Sequence, residues 1–194
     1  MDITERITAE SSRRESEAYL RTLIETLLDL VWLKDPDGVY LTCNAKFERF
    51  FGAKEQDIVG KNDYDFMSSE LAEFFRGKDR AAMEAGRPTM NEEEVIYADD
   101  GHRELLETIK TPMLDADGEL IGVLGVGRDI TERKRIEERL RLSASVFENT
   151  AEGVVITDPD GSIVDVNHAF THIMGYSPGR GAGAKSSDVE VWPS

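Results

Sequence analysis

The sequence predicts an α+β domain: a five-stranded antiparallel sheet with helices packed on one face, flanked by an N-terminal and a C-terminal helix. Three observations predict it. The strand candidates come as a group of two and a group of three, with helical segments between them. Turns of the Asp-Gly type separate the strands within each group. Part of the pattern then recurs downstream at a constant offset, so the chain carries more than one copy of the unit.

The elements follow in order. Glu15–Leu28 places Ala18, Tyr19, Leu23, Ile24, Leu27 and Leu28 at helical spacing with one apolar face. Leu30–Lys34 is the first strand. It turns at Asp35-Pro36-Asp37-Gly38, where proline presets one torsion and glycine supplies a positive φ. Val39–Cys43 is the returning strand. Asn44 suits the N-cap of a short helix, Ala45–Phe51, which Gly52 ends. Ala53–Phe66 reads as small helical turns. Glu70–Ala85 is an amphipathic helix stopped by Gly86 and Pro88. Thr89–Tyr97, Arg103–Met113 and Leu120–Arg128 are the last three strands, joined at Asp99-Asp100-Gly101 and Asp115-Ala116-Asp117-Gly118. The first two strands must pair beside these three to complete the sheet.

The repeat needs no gap. At an offset of 123, Asp35-Pro36-Asp37-Gly38 falls on Asp158-Pro159-Asp160-Gly161, Asn44 on Asn167, Phe47 on Phe170 and Gly52 on Gly175. Upstream, Glu25 meets Glu148 and Val31 meets Val154. The organisation expected is a polar N-terminal segment (1–14), a complete unit (15–131), a helical linker (132–149) and the opening of a second unit (144–177). Residues 178–194 are rich in glycine, alanine and serine without periodicity. They are expected to be disordered, the product of a one-base frameshift that ended the chain early or a natural end.

Composition narrows the function. The 194 residues are 40% hydrophobic and 32% charged, which fits a globular protein. A net charge of −16 disfavours nucleic acid and anionic membrane surfaces as partners, and the plain reading of the charge is solubility. The single cysteine, Cys43, allows no intrachain disulfide and no cysteine metal cluster. No apolar run reaches the 18 residues of a membrane span, and Met1–Ser12 lacks the apolar core of a secretion signal, so a cytoplasmic location is expected. Phosphate-loop and nucleophile-elbow motifs are absent, and Gly122–Gly127, a Gly-x-x-Gly-x-Gly run, lies inside the last strand and opens no helix. No catalytic domain is expected in this chain.

These motifs together resemble the PAS (sensory box) family of bacterial signalling proteins, over about residues 15–131 and again over 144–177. The resemblance rests on the Asp-Pro-Asp-Gly turn, on Asn44-x-x-Phe47 with Gly52, and on Asp57-Ile58-Val59-Gly60. It rests further on the three-strand meander ending in Gly125-Val126-Gly127-Arg128, and on Asp129-Ile130-Thr131-Glu132-Arg133. It implies a module that senses a small molecule or partner and passes its state to a downstream output domain. In a longer parent that output would be a diguanylate cyclase, a phosphodiesterase or a histidine kinase. The alternative is a stand-alone interaction and dimerisation module without a ligand.

In this family the space between sheet and helices holds a ligand or only side chains. Trp32, Asn44, Phe47, Phe51, Tyr64 and Phe66 are the candidate lining residues, with plain core packing as the other reading and a helix cap the preferred one for Asn44. The cofactor is unknown. Haem is disfavoured because His102 sits beside a turn, while His168 and His172 lie on a short helix of the second unit. A flavin of the LOV type is disfavoured because Cys43 ends a strand and lies in no Asn-Cys-Arg-Phe-like helix. No metal site is expected. Asp129, Ile130 and Thr131 are the candidate signal-transfer joint, with Thr131 able to cap the helix that follows. On that helix Ile136, Leu140, Ser143 and Phe147 form a short heptad-like stripe. The stripe fits a homodimer through the N- and C-terminal helices, and equally fits packing on the second unit.

Overall fold

A computed structural model describes residues 3–175. The chain divides into two compact units, Met1–Thr131 and Glu132–Ser194. The expectations for 178–194 lie outside the described residues.

Unit 1 is the α+β fold that the sequence predicts. Helix α1 (Ile3–Thr26) precedes strands β1 (Leu30–Lys34) and β2 (Tyr40–Cys43). Helices α2 (Ala45–Phe51) and α3 (Glu55–Ile58), a 3-10 turn (Asp63–Asp65) and helix α4 (Ser69–Ala85) come next. The unit closes with β3 (Thr89–Ile96), β4 (Arg103–Leu114) and β5 (Leu120–Asp129). The sheet order is β2-β1-β5-β4-β3, antiparallel throughout, so the last strand enters beside the first. That insertion unites the two groups of strands.

Local chemistry explains the boundaries. Gly38 turns the first hairpin at φ 86°, and Asp35 Oδ1 accepts a hydrogen bond from Val39 N at 2.8 Å. The same turn recurs at Asp158–Gly161, where Asp158 Oδ1 accepts from Ser162 N at 2.8 Å. Asn62 opens the 3-10 turn with a reciprocal capping box to Asp65. Helix α1 starts well inside the segment expected as a polar tail, and its apolar residues Tyr19, Leu20, Leu23 and the following Leu27 remain exposed. An ion pair ties it down instead. Arg21 donates to both Glu55 carboxylate oxygens at 2.9 and 2.6 Å, and that carboxylate also accepts from Thr42 Oγ1 and Cys43 N. These donors, Arg21 foremost, hold the Glu55 pKa down at about 2.

The core of unit 1 gathers Leu30, Trp32, Tyr40, Phe47, Ile58, Phe75, Val95, Tyr97 and Leu106 between sheet and helices. Unit 2 holds α5 (Thr131–Asn149, whose first residue ends unit 1), β6 (Val155–Thr157), β7 (Ile163–Val166) and α6 (His168–Met174). Its small core is Ile163, Val166 and Phe170, with Val155 packed against them.

Candidate functional site

Alternation along β1 sends Leu30, Trp32 and Lys34 to the helix-covered face of the sheet. Trp32 pairs in register with Gly125 of β5, and Leu30 with Gly127. The missing side chains give the indole its place: a Cβ on Gly125 would lie 2.2 Å from Trp32 Cε2. Within the glycine run of the last strand, Gly125 is the residue that makes room for the indole. Gly125→Ala is therefore expected to displace Trp32 and destabilise unit 1 by about 1–3 kcal/mol, the usual cost of overpacking. Urea unfolding followed by tryptophan emission checks it, and an unchanged midpoint would remove Gly125 from the account.

Above that floor lies a cavity of about 20 Å³, room for about one water molecule. Trp32, Tyr40, Phe47, Phe50, Met67 and Phe75 form its apolar walls, with Leu30, Val95 and Leu106. Of the residues expected to line it, Trp32 and Phe47 do so, with rings 5.1 Å apart. Phe51 and Phe66 stack on one another at 4.5 Å and pack against the core outside the lining. Tyr64 is exposed, its hydroxyl donating to Glu73. Asn44 is the α2 cap, away from the lining.

The sequence reading missed the polar end of the cavity. Lys34 and Lys110 reach it from β1 and β4, on either side of β5, and Asp63 from the 3-10 turn. Behind the lysines stands Asp79 of α4. All four side chains are at most 2% exposed. Lys34 Nζ donates to Asp63 Oδ2 at 2.6 Å and to Asp79 Oδ2 at 3.0 Å. Lys110 Nζ donates to Asp79 Oδ1, and to the Phe75 carbonyl at 3.2 Å. Tyr40 OH donates to Asp63 Oδ1 at 2.7 Å. Burial pushes the Asp79 pKa upward, but Lys34 and Lys110 outweigh it and the net shift is downward. Burial lowers the Lys110 pKa and, with Asp63, raises that of Tyr40.

Two further constructions connect this cavity to the helices. Asn44 uses its whole amide. Oδ1 accepts from Val31 N and Phe47 N, both at 3.1 Å, and Nδ2 donates to Asp29 O at 2.9 Å and Ile24 O at 3.3 Å. It thereby fastens the end of α1 to β1 and to α2. Asn167 repeats each bond in unit 2: Oδ1 accepts from Val154 N and Phe170 N, and Nδ2 donates to Glu152 O and Phe147 O. Glu25 and Glu148 accept from Ala45 N and His168 N in the same way.

The second construction is the joint. Ile130 is buried, and its N–H donates to Leu105 O at 2.9 Å. Leu105 N donates to Thr131 Oγ1 at 2.8 Å, and Asp129 Oδ1 accepts from Thr131 N at 2.8 Å. Leu105 is thus bonded through both backbone groups to the start of α5, while its neighbour Leu106 is a cavity wall. On α5, Ile136, Leu140 and Ser143 are exposed and Phe147 is half-buried. Leu142 and Val146 add to the exposed apolar surface. Elsewhere Asp99, Asp100 and His102 come together at the surface, with Arg49 bonded to Asp99 at 2.8 Å. His102 is engaged by Asp100, which raises its pKa. His168 and His172 lie along α6 with ring centres 6.4 Å apart.

Fold and site together define a small α+β module, a cavity between a five-stranded sheet and the helices that cover it. The family model described as a PAS fold matches residues 24–135, and one described as a PAS domain matches 138–193; the chain belongs to the PAS family. It is similar to the methanogenesis regulatory histidine kinase FilI of Methanothrix harundinacea, 31% identical over 155 residues, 78% of this chain and 17% of the kinase. It is similar also to a diguanylate cyclase of Vibrio cholerae, 30% identical over 111 residues, 57% of this chain and 35% of that protein. The chain thus spans less than a fifth of the kinase and about a third of the cyclase. Among solved structures, the VqmA dimer of Vibrio cholerae superposes with a TM-score of 0.54 at 25% identity, over 60% of this chain and 53% of that one. The matched regions of this chain are PAS sensory domains, and the relatives that carry them are kinases and a cyclase. No helix among the described residues is long and apolar enough to cross a membrane.

Proposed function

We propose that this chain is the sensory part of a cytoplasmic signalling protein. Unit 1 reads a small molecule or partner at its cavity and passes its state through Asp129, Ile130 and Thr131 into α5, and from there to an output domain. In a longer parent that output is a histidine kinase, or a diguanylate cyclase or phosphodiesterase. The observation that carries this reading is the adjacency on β4: Leu106 lines the cavity and Leu105 holds the start of α5. A displacement of β4 at one residue is felt at the next.

Hydrogen exchange tests the link. Lys110→Met alters the cavity five residues from Leu105 on the same strand. It is expected to speed exchange of the amides of residues 131–136 at least tenfold, and Thr131→Val is expected to abolish that response. Unchanged exchange at 131–136 in Lys110→Met would remove the joint from the mechanism.

A second reading, a homodimerising interaction module, draws on the apolar residues left exposed on α1 and on Ile136 and Leu140 of α5. A buried aliphatic side chain contributes about 1.5–3 kcal/mol, so a parallel pairing of these helices would be favourable. Light scattering is expected to give twice the chain mass for the wild type and the chain mass for Leu140→Glu. A monomeric wild type at high micromolar concentration sinks the dimer.

A further inference from the structure

The joint at the start of α5 has a titratable neighbour. Leu105, which holds Ile130 and Thr131 through its two backbone groups, follows Glu104 on β4, and His102 lies just before that strand. His102 is fixed from both sides. Its N–H donates to Asp100 Oδ1 at 3.0 Å, and its carbonyl accepts from Tyr97 N at 2.9 Å. Its ring stacks on Tyr97 with centres 4.1 Å apart and an interplanar angle of 22°. In that pose Nδ1 meets Asp100 Oδ1, and Nε2 lies 3.3 Å from Glu104 Oε1. Both ring nitrogens therefore face carboxylate oxygens. Only the imidazolium carries a proton for each; the neutral ring has one N–H and leaves one carboxylate facing a lone pair.

The other charged groups around the ring come from α2, the β3–β4 turn, β4 and the end of β5. Arg49 of α2 donates to Asp99 at 2.8 Å and lies 3.5 Å from Asp100. Lys46 of α2 lies 3.2 Å from Glu104 Oε2, which also accepts from Tyr97 OH at 2.8 Å. Arg103 pairs with Glu94 at 2.6 Å. Asp100 first, and Glu104 after it, hold the ring's pKa above its usual value, against an opposing push from burial. The charge is also felt at the joint itself. Burial pushes the Asp129 pKa up, but the bonds from Thr131 and the charges of Lys46 and His102 outweigh it. The bonds to the ring favour its protonated form. Their contribution is complete below the unfolded value of about 6.5 and is lost as pH rises through the higher folded one.

We propose that His102 makes the joint sensitive to protons: charged, it bridges Asp100 and Glu104 and steadies the strand that holds α5, and on losing its proton it loosens that hold. The proposal rests on the joint of the sensory reading and adds a second input to it. The full chain with His168→Gln and His172→Gln tests it, because His102 is then the sole histidine. Nuclear magnetic resonance follows the His102 ring, the amide shifts of Ile130 and Thr131, and exchange protection at residues 131–136, taken relative to intrinsic exchange at each pH. All are expected to share one midpoint above about 6.5. Protection is expected to fall about threefold across it, the size of a single exposed charge pair. His102→Gln is expected to abolish the step and keep protection at the high-pH level throughout. His102→Arg, planar and always charged, is expected to abolish it at the low-pH level. A merely structural role for the ring would lower protection in both variants alike, which overturns the proposal. So does a step that survives in His102→Gln, or a wild type in which Ile130 and Thr131 ignore the His102 midpoint. The sensory reading falls separately, on Lys110→Met, which leaves His102 in place.

Discussion

Asp79→Ala is expected to destabilise unit 1 by about 3–5 kcal/mol, the cost of leaving buried charge without its partner. Asp79 stands between two lysines, each at most 2% exposed, and among the described residues it is the carboxylate that pairs with Lys110. Its removal leaves Lys34 with Asp63, and Lys110 with a backbone carbonyl. Replacing the cluster together (Lys34→Met, Asp63→Asn, Asp79→Leu, Lys110→Met) is expected to recover most of that loss, because no ion then remains to desolvate. Urea midpoints of the three proteins decide it. If the fourfold replacement is as unstable as Asp79→Ala, the cluster holds the fold together and needs no other role.

The same residue fixes a pH dependence. The folded-state pKa of Asp79 lies below its unfolded value, so the unfolded chain binds more protons in the window between the two. The stabilisation is fully present above the unfolded value of about 3.9 and is lost as pH falls through the folded one. The gap in urea midpoint between wild type and Asp79→Ala is therefore expected to hold from neutral pH to the upper edge of that window, and to narrow below it.

The strands and most helices of unit 1 were legible because their signals are local: Asp-Gly turns, period-two alternation and a capping asparagine lie within a few residues of what they specify. The repeat was legible through constant spacing. The charged end of the cavity was not, because its members come from β1, the 3-10 turn, α4 and β4 and are assembled only by the fold. A signal was present. Lys34 is in phase with Leu30 and Trp32, Lys110 with Leu106, and Asp79 with Ala72, Phe75 and Ala82 on the buried face of α4. Charges that fall on the apolar phase of three separate elements must meet in the core. Tyr64 shows the converse: an aromatic beside Asp63 was expected in the cavity, but the 3-10 turn points Asp63 inward and leaves Tyr64 outside.

Asn44→Ala is expected to cost unit 1 about 3–5 kcal/mol, since it strands several backbone groups at about 1–3 kcal/mol for each one left buried and unpaired. The Val31 and Phe47 amides are the most costly, because both residues are in the core. Asn44→Asp separates the two halves of the amide. It keeps the acceptor for those N–H groups but turns a carboxylate oxygen toward the carbonyls of Asp29 and Ile24, where only a donor fits. Burial and the facing carbonyls raise the folded pKa of that aspartate, so the folded chain binds more protons than the unfolded one. The variant is expected to regain stability as pH falls through the raised value, opposite in sign to the Asp79 effect. Asn167→Ala removes the same bonds from unit 2, whose core is three buried residues. The β6–β7 hairpin is expected to open altogether, with loss of exchange protection at Val154 and Phe170 and none at Val31 and Phe47. Loss of protection in both units from either single substitution would mean that the two knots are not independent.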